Sequence, residues 1–363
     1  MTLIRPDLAT LPAYVPGKAI PGLVKLASNE VPLPPTPPVL AAVAEAAAMG
    51  NRYPDLAVVG LTERLSRALG VAAERIAVGC GSVSLCQQLV SATCLEPTDE
   101  VLYAWRSFEA YPIVSQIGGA RRVTVPLDAE FRHDIDAMAA SVTPRTRLVF
   151  VCSPNNPTGT VVTREELERL LAAVGPDVLV ALDEAYHEYV TDPAAADGLP
   201  LLDAHPNLVV LRTFSKAYRL AALRVGYAVG APEVATALRK VCAPFSVNTL
   251  AQAAAVAALD DAEALLATCA DTVEERVRVR DALVAAGYTV PPTQANFVWL
   301  PLGDRATEFA AACDAAGVIV RAFAGDGVRV TIGTPEENDI FLTAAEKFLA
   351  DSIPQTSWND AAG

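Results

Sequence analysis

The sequence predicts an α/β protein built on a mostly parallel sheet, with a smaller α+β lobe after residue 250. Three observations predict it. Between residues 75 and 230, short apolar runs rich in β-branched residues alternate with helical stretches, the rhythm that parallel strands need for their crossovers. The chain has 363 residues, 52% of them hydrophobic and 19% charged, which is enough apolar side chain for a large buried core. Beyond residue 250 come an Ala-rich helical stretch, a charged amphipathic helix over Thr272–Ala286, the strand-like Asn296-Phe-Val-Trp-Leu and a closing helix after Pro335.

In chain order, residues 1 to about 40 carry Pro12, Pro16, Pro21, Pro32, Pro34, Pro35, Pro37 and Pro38. Proline removes an amide donor and restricts its predecessor, so this stretch reads as an extended arm. Within it, Lys25-Leu-Ala-Ser-Asn-Glu30 mixes apolar and polar groups as a docked segment would. The strand candidates are Arg75-Ile-Ala-Val, Glu100-Val-Leu-Tyr-Ala, Arg122-Val-Thr-Val, Arg147-Leu-Val-Phe-Val, Val178-Leu-Val-Ala-Leu, Leu208-Val-Val-Leu and Val225-Gly-Tyr-Ala-Val. Thr163 and Glu166 have capping-box spacing ahead of Leu167, Leu170 and Leu171, which puts Ser153–Thr160 in a loop. Residues from Ser352 onward read as a frayed end.

A formal charge of −14 argues against a nucleic-acid surface, which needs clustered Lys and Arg, and no DNA-binding module is recognisable. Small-molecule chemistry is the expectation. Cys80, Cys86, Cys94, Cys152, Cys242, Cys269 and Cys313 are scattered, with no Cys-x-x-Cys pair and no metal-ligand spacing. Reduced thiols, no leader-like start and no apolar run long enough to span a bilayer give the expectation of a cytoplasmic protein with no structural metal.

Open α/β sheets bind ligands at the carboxyl ends of their strands, and the polar outliers sit there. Ile76-Ala-Val-Gly79-Cys80-Gly81-Ser82-Val83 runs from strand to helix through glycines, as a phosphate-holding turn or an ordinary Gly turn would. Ser153-Pro-Asn-Asn-Pro-Thr-Gly159 packs turn formers that project Asn side chains. Asp183 ends an otherwise apolar strand, where a carboxylate requires a cationic partner. Thr213-Phe-Ser-Lys216 ends another strand with hydroxyls and an amine, and Arg224 follows.

SPNNPTG, LDEAY and TFSKAYRLAALRVGY resemble consecutive signatures of fold-type I pyridoxal 5′-phosphate (PLP) aminotransferases, in the histidinol-phosphate aminotransferase subfamily. YVPGK, AVGCGSVSLCQQL and AWRSFEAYP are most similar to its actinobacterial aromatic-amino-acid (phenylalanine) branch. The resemblance covers nearly the whole chain. It implies an N-terminal arm with part of the small domain over residues 1–45, a large PLP-binding domain over 46–249 and a C-terminal small domain over 250–363.

Residue by residue, Lys216 matches the lysine that holds PLP covalently and moves the substrate proton. Asp183 matches the acid that keeps the pyridine nitrogen protonated. Asn156 and Tyr186 match donors to the phenolic oxygen, Asn156 also lying toward the substrate. Tyr111 falls where an aromatic stacks on the ring, with Phe108 the competing choice and core packing the alternative for either. The backbone at Ser82 and Val83, the hydroxyls of Thr213 and Ser215 and the guanidinium of Arg224 match a phosphate cup.

Tyr53 in Asn51-Arg-Tyr-Pro-Asp55 matches a residue that reaches the partner subunit's cofactor, which implies a homodimer. Arg329 matches the clamp on the substrate α-carboxylate. Arg321 is a further substrate candidate, with a surface charge as its alternative. The chain departs from the commoner pattern at Val83, where many relatives have an acid or amide, and at Arg219 and Ala222, where many have glycine.

The activity implied is ping-pong transamination of an aromatic L-amino acid with 2-oxoglutarate, and histidinol phosphate is the alternative donor. AWRSFEAYP and GCGSVSL favour the aromatic donor. A PLP-dependent lyase or decarboxylase can share Lys216 and Asp183, but Arg329 argues for transamination.

Overall fold

The computed structural model describes residues 3–11 and 20–352; Pro12, Tyr14-Val-Pro-Gly-Lys18 and the tail beyond Ser352 lie outside the described residues. The arm contributes strand β1 (Val24–Lys25). The large sheet follows with β2 (Ile76–Gly79), β3 (Glu100–Trp105), β4 (Arg121–Pro126), β5 (Thr146–Cys152), β6 (Leu179–Asp183), β7 (Leu208–Thr213) and β8 (Gly226–Val229). Each of the seven predicted runs forms one of these strands. Their order is β2-β8-β7-β6-β5-β3-β4, and β8 alone runs opposite to the other six.

Side chains alternate across a strand, so an apolar run buried on both faces must satisfy two cores at once. Val149, Val151, Val180, Leu182, Leu208 and Val210 enter one core, while Leu148, Phe150, Ala181, Val209 and Leu211 enter the other. The helices over this sheet are α1 (Pro37–Ala47), α2 (Val59–Leu69), α3 (Ser82–Thr93), α4 (Ala110–Ile117), α5 (Ile135–Ala140), α6 (Arg164–Val174), α7 (Pro232–Val241) and α8 (Thr249–Asp260). Helices α3, α4 and α7 pack with the Phe150 face, and the others with the Val149 face. Thr163 caps α6 as its spacing predicts: its hydroxyl accepts from the Glu166 amide at 3.2 Å, and the Glu166 carboxylate accepts from the Thr163 amide at 2.7 Å.

The long α9 (Ala262–Ala285) leads into the second lobe, which adds β9 (Phe297–Leu300), α10 (Ala306–Ala315), β10 (Val318–Ile319), β11 (Arg321–Phe323), β12 (Gly327–Thr331) and α11 (Pro335–Ser352). The arm strand β1 pairs in parallel with β10, which fastens the N-terminal segment to this lobe. The hydrophobic clusters divide within α9 rather than at 249/250. Ala251, Ala254 and Ala258 of α8 and Leu265 and Cys269 of α9 pack with the large sheet, whereas Val279 and Leu283 pack with the small lobe. An Ala-rich helix has a narrow apolar surface that admits close neighbours, so α8 is held by α1 and α2 against the large core.

Thr163→Ala removes one side of the capping box and is expected to lower stability by about 1 kcal/mol, read as a lower urea midpoint at unchanged m-value.

Candidate active site

Strands β2, β3, β5, β6 and β7 share one direction, so their carboxyl ends meet at a single edge. Between that edge and the small lobe lies a cavity of about 480 Å³. Of the site residues expected from sequence, Ser82, Val83, Asn156, Asp183, Tyr186, Thr213, Ser215, Lys216, Arg224, Arg321 and Arg329 line it. Tyr53 and Tyr111 do not.

Asp183 is the last residue of β6, paired with Cys152 of β5, and its side chain follows Ala181 onto the Phe150 face. Burial pushes its carboxyl up to about 6, while the hydrogen bond from Tyr111 pulls the other way. The Tyr111 hydroxyl donates to Oδ2 at 2.9 Å, and Oδ1 has no hydrogen-bond partner among the described residues. The expected stacking role therefore does not fall to Tyr111. Placed in the first turn of α4, it points into the core, its ring stacked on Phe150 at 4.4 Å between centroids. Phe108, the competing choice, lies just ahead of the helix and lines the cavity.

A second group of polar atoms collects around Arg224. Its Nη1 donates to the Ser215 Oγ at 3.2 Å, and the Thr213 hydroxyl donates to the same oxygen at 3.0 Å. No side chain caps α3, whose first residues Ser82 and Val83 face the cavity, so its N-terminal amides are open to an anion. Glycine suits position 81, whose φ is +77°, and a Cβ there would crowd the Arg224 guanidinium. One guanidinium, two hydroxyls and free amides around one point suit a phosphate.

Lys216 extends into the cavity with Nζ 5.9 Å from the Tyr186 ring centroid and 3.3 Å from the Ser28 carbonyl, to which it donates. Burial, and then the nearby Arg329, lower its amine to about 7. Burial raises the Tyr186 phenol well above its ordinary value, which keeps it protonated and a donor.

Residues 27–30 close one side of the cavity, and Asn29 is a lining residue that motif reading missed. Its Nδ2 donates to the Tyr186 hydroxyl at 2.9 Å, while its backbone amide donates to Thr331 Oγ1 at 2.9 Å. Asn29 adopts φ 54°, a left-handed conformation that Asn tolerates better than most residues. The signal available was an Asn inside an apolar docked run, but its partners lie more than 150 residues away.

The small-lobe sheet turns Phe297, Trp299, Phe323 and Arg329 toward this side, and Val298, Leu300, Val328 and Val330 into its own core. Arg329 Nη1 donates to Asn156 Oδ1 at 2.5 Å and Nη2 to the Ala27 carbonyl at 2.8 Å. With its amide oxygen engaged, Asn156 offers its Nδ2 donors to a ligand. Arg321 is held by Glu109 and lies on the cavity wall, not on the open surface. Tyr53 lies outside the cavity, is 83% exposed and stacks on Phe245 at 4.7 Å.

At the Arg219 departure, φ is 59°, a conformation that glycine adopts without strain. Here hydrogen bonds from Arg219 to the Pro34 carbonyl and the Thr268 hydroxyl tie the loop to the arm and α9. Glu184, His187 and Asp197 bring ligand-type atoms within 4.8 Å of one another, but Arg212 already carries the positive charge there, 2.7 Å from Glu184 Oε2.

The family model for class I and II aminotransferases matches residues 21–344. This chain belongs to that family. The aminotransferase is 60% identical over 349 residues to the aromatic amino acid aminotransferase of Rhodococcus jostii, covering 96% of this chain and 97% of the relative. It is 58% identical over 350 residues to that of Nocardia farcinica, with 96% and 97% covered. Its fold matches the histidinol-phosphate aminotransferase of Sinorhizobium meliloti in complex with pyridoxal-5′-phosphate at a TM-score of 0.87, with 28% identity over 97% of this chain and 99% of the other. The aminotransferase uses PLP. The cavity suits it at both ends, with the unpartnered Asp183 Oδ1 available to a protonated ring nitrogen and the Arg224 group available to a phosphate. Among the described residues, no helix is long and apolar enough to cross a membrane.

Two outcomes are expected. In cofactor-free protein, acetylation of Lys216 by acetic anhydride should rise from pH 6 to 8 with a midpoint near 7, against about 10.4 for a lysine in a model peptide, as read by peptide mass spectrometry. Tyr111→Phe removes a hydrogen bond that favours ionised Asp183, so the carboxyl pKa rises and PLP is lost faster on dialysis, followed by its visible absorption.

Proposed function

We propose that this aminotransferase moves the amino group of an aromatic L-amino acid to a 2-oxo acid such as 2-oxoglutarate, in two half-reactions at one cavity. The observation that carries the reading is the identity of 58–60% with two aromatic amino acid aminotransferases along nearly the whole chain. Likeness to the histidinol-phosphate enzyme is 28%, which makes that donor the second reading. Phe108, Ile113 and Val114 give the cavity an apolar wall suited to a ring.

When bound, PLP supplies an electron sink for the pair left at the substrate Cα. In this reading Lys216, neutral above about pH 7, takes the Cα proton and delivers it to C4′. Asp183 Oδ1 holds a proton on the ring nitrogen, supported from behind by Tyr111. Tyr186 and the Asn156 Nδ2 donate to the phenolic oxygen. Arg329 would grip the α-carboxylate with a planar fork, which its contact with Asn156 holds in orientation. Ser82, Val83, Thr213, Ser215 and Arg224 hold the phosphate, and Phe108 covers the ring face.

The reading extends to a cytoplasmic homodimer. The seven free thiols support a reducing compartment. Exposed Tyr53, Leu56, Val59 and Phe245 support a second copy of the chain, to whose cavity Tyr53 would reach.

With 2-oxoglutarate as acceptor, kcat/KM for phenylalanine or tyrosine is expected to exceed that for histidinol phosphate by about tenfold or more, and a dominant histidinol-phosphate activity would overturn the choice of donor. Lys216→Ala should lower kcat by about 10³-fold.

A further inference from the structure

Two acids that the chemistry above does not use line the cavity: Glu30, which is paired with Lys25 at 2.6 Å, and Glu109. Glu109 sits immediately before α4, beside Phe108, and lines the cavity. Its Oε2 accepts from Arg321 Nη2 at 2.9 Å, with side chains 31% and 15% exposed. Among the described residues this is the ion pair that Arg321 makes.

The placement of Arg321 gives the pair its meaning. Strands β11 and β12 set Arg321 directly opposite Arg329, so both guanidinium groups leave the same face of the small-lobe sheet. Both lie against one ring, 5.5 Å and 5.8 Å from the Phe323 centroid. Like charges opposed across an antiparallel pair repel unless anions are supplied. Arg329 is oriented by Asn156 and Ala27 to receive one carboxylate. The second anion is Glu109, a group of the protein. Arg106, in the same corner, is engaged by Asp326 at 2.8 Å and does not line the cavity.

We propose that Glu109 is a specificity-determining residue, which competes with the substrate side chain for Arg321. The proposal rests on the amino-transfer reading above and concerns what the same cavity accepts beyond the α-carboxylate. A neutral aromatic side chain leaves the Glu109–Arg321 pair closed and lies against the apolar wall. A dicarboxylic 2-oxo acid brings a second carboxylate that must displace Glu109 from Arg321 and meets its repulsion. Glu109 itself stays tolerable when released, because it is partly exposed and lies at the N-terminus of α4, where the backbone dipole favours negative charge. Glu109 thus lowers the affinity for anionic side chains without closing the cavity to them.

The test measures binding to the PLP-loaded enzyme by calorimetry, with glutarate as the dicarboxylate probe and 3-phenylpropionate as the aromatic monocarboxylate. In Glu109→Gln, glutarate should bind about fivefold more tightly, the scale of a partly exposed ion pair, while 3-phenylpropionate changes less than about twofold. Arg321→Gln should weaken glutarate far more than 3-phenylpropionate. In the double variant the gain from Glu109→Gln should vanish, because Glu109 acts through Arg321. An unchanged glutarate to 3-phenylpropionate ratio in Glu109→Gln, or a gain that persists without Arg321, would overturn the proposal. If neither probe binds the wild-type enzyme while histidinol phosphate does, the donor reading fails instead, so the two failures are distinct.

Discussion

The buried carboxylate of Asp183 is the constraint around which the structure is organised. It stands at the end of a strand apolar on both faces, where an unpartnered charge is expensive. Tyr111 satisfies one oxygen from below and leaves the other facing the cavity. That arrangement leaves one carboxylate oxygen without a partner among the described residues. It also fixes the role of α4, whose first turn must face the core for Tyr111 to reach Asp183, leaving Phe108 and Glu109 at the cavity wall.

The remaining walls come from parts of the chain far apart in sequence and held by polar contacts. Asn29, Ala27 and Ser28 in the arm meet Tyr186, Arg329 and Lys216 respectively. These hydrogen bonds link both lobes and the arm around the one amine whose acidity the cavity changes most usefully. Lys216 is lowered by burial and by the guanidinium groups of Arg329 and Arg224, so the cations that line the cavity also help keep the lysine neutral.

Much of this was legible in the sequence. The seven sheet strands, the Thr163 cap and the polar strand ends were read from periodicity and turn chemistry, because those signals act over a few residues. Eleven of the expected site residues line one cavity. One expectation differs from the structure, for a reason that local spacing does not carry. Phe108 and Tyr111 are three residues apart and chemically similar; only the start of α4 decides which faces the cavity and which faces the core. Contacts of α8 are equally non-local: it packs with α1, some two hundred residues earlier.

The sequence by itself determined the alternation of strands and helices, the placement of Lys216, Asp183, Asn156 and Arg224 at strand ends, and the family they belong to. Each depends on local spacing, which the chain carries wherever it folds. Tertiary structure alone decided that Tyr111 serves Asp183, that Asn29 braces Tyr186, and that Glu109 meets Arg321 across 212 residues. Those pairings depend on how α4 packs on the large sheet, on where the arm docks and on how the small lobe meets Glu109, and no local pattern encodes the distance between two such surfaces.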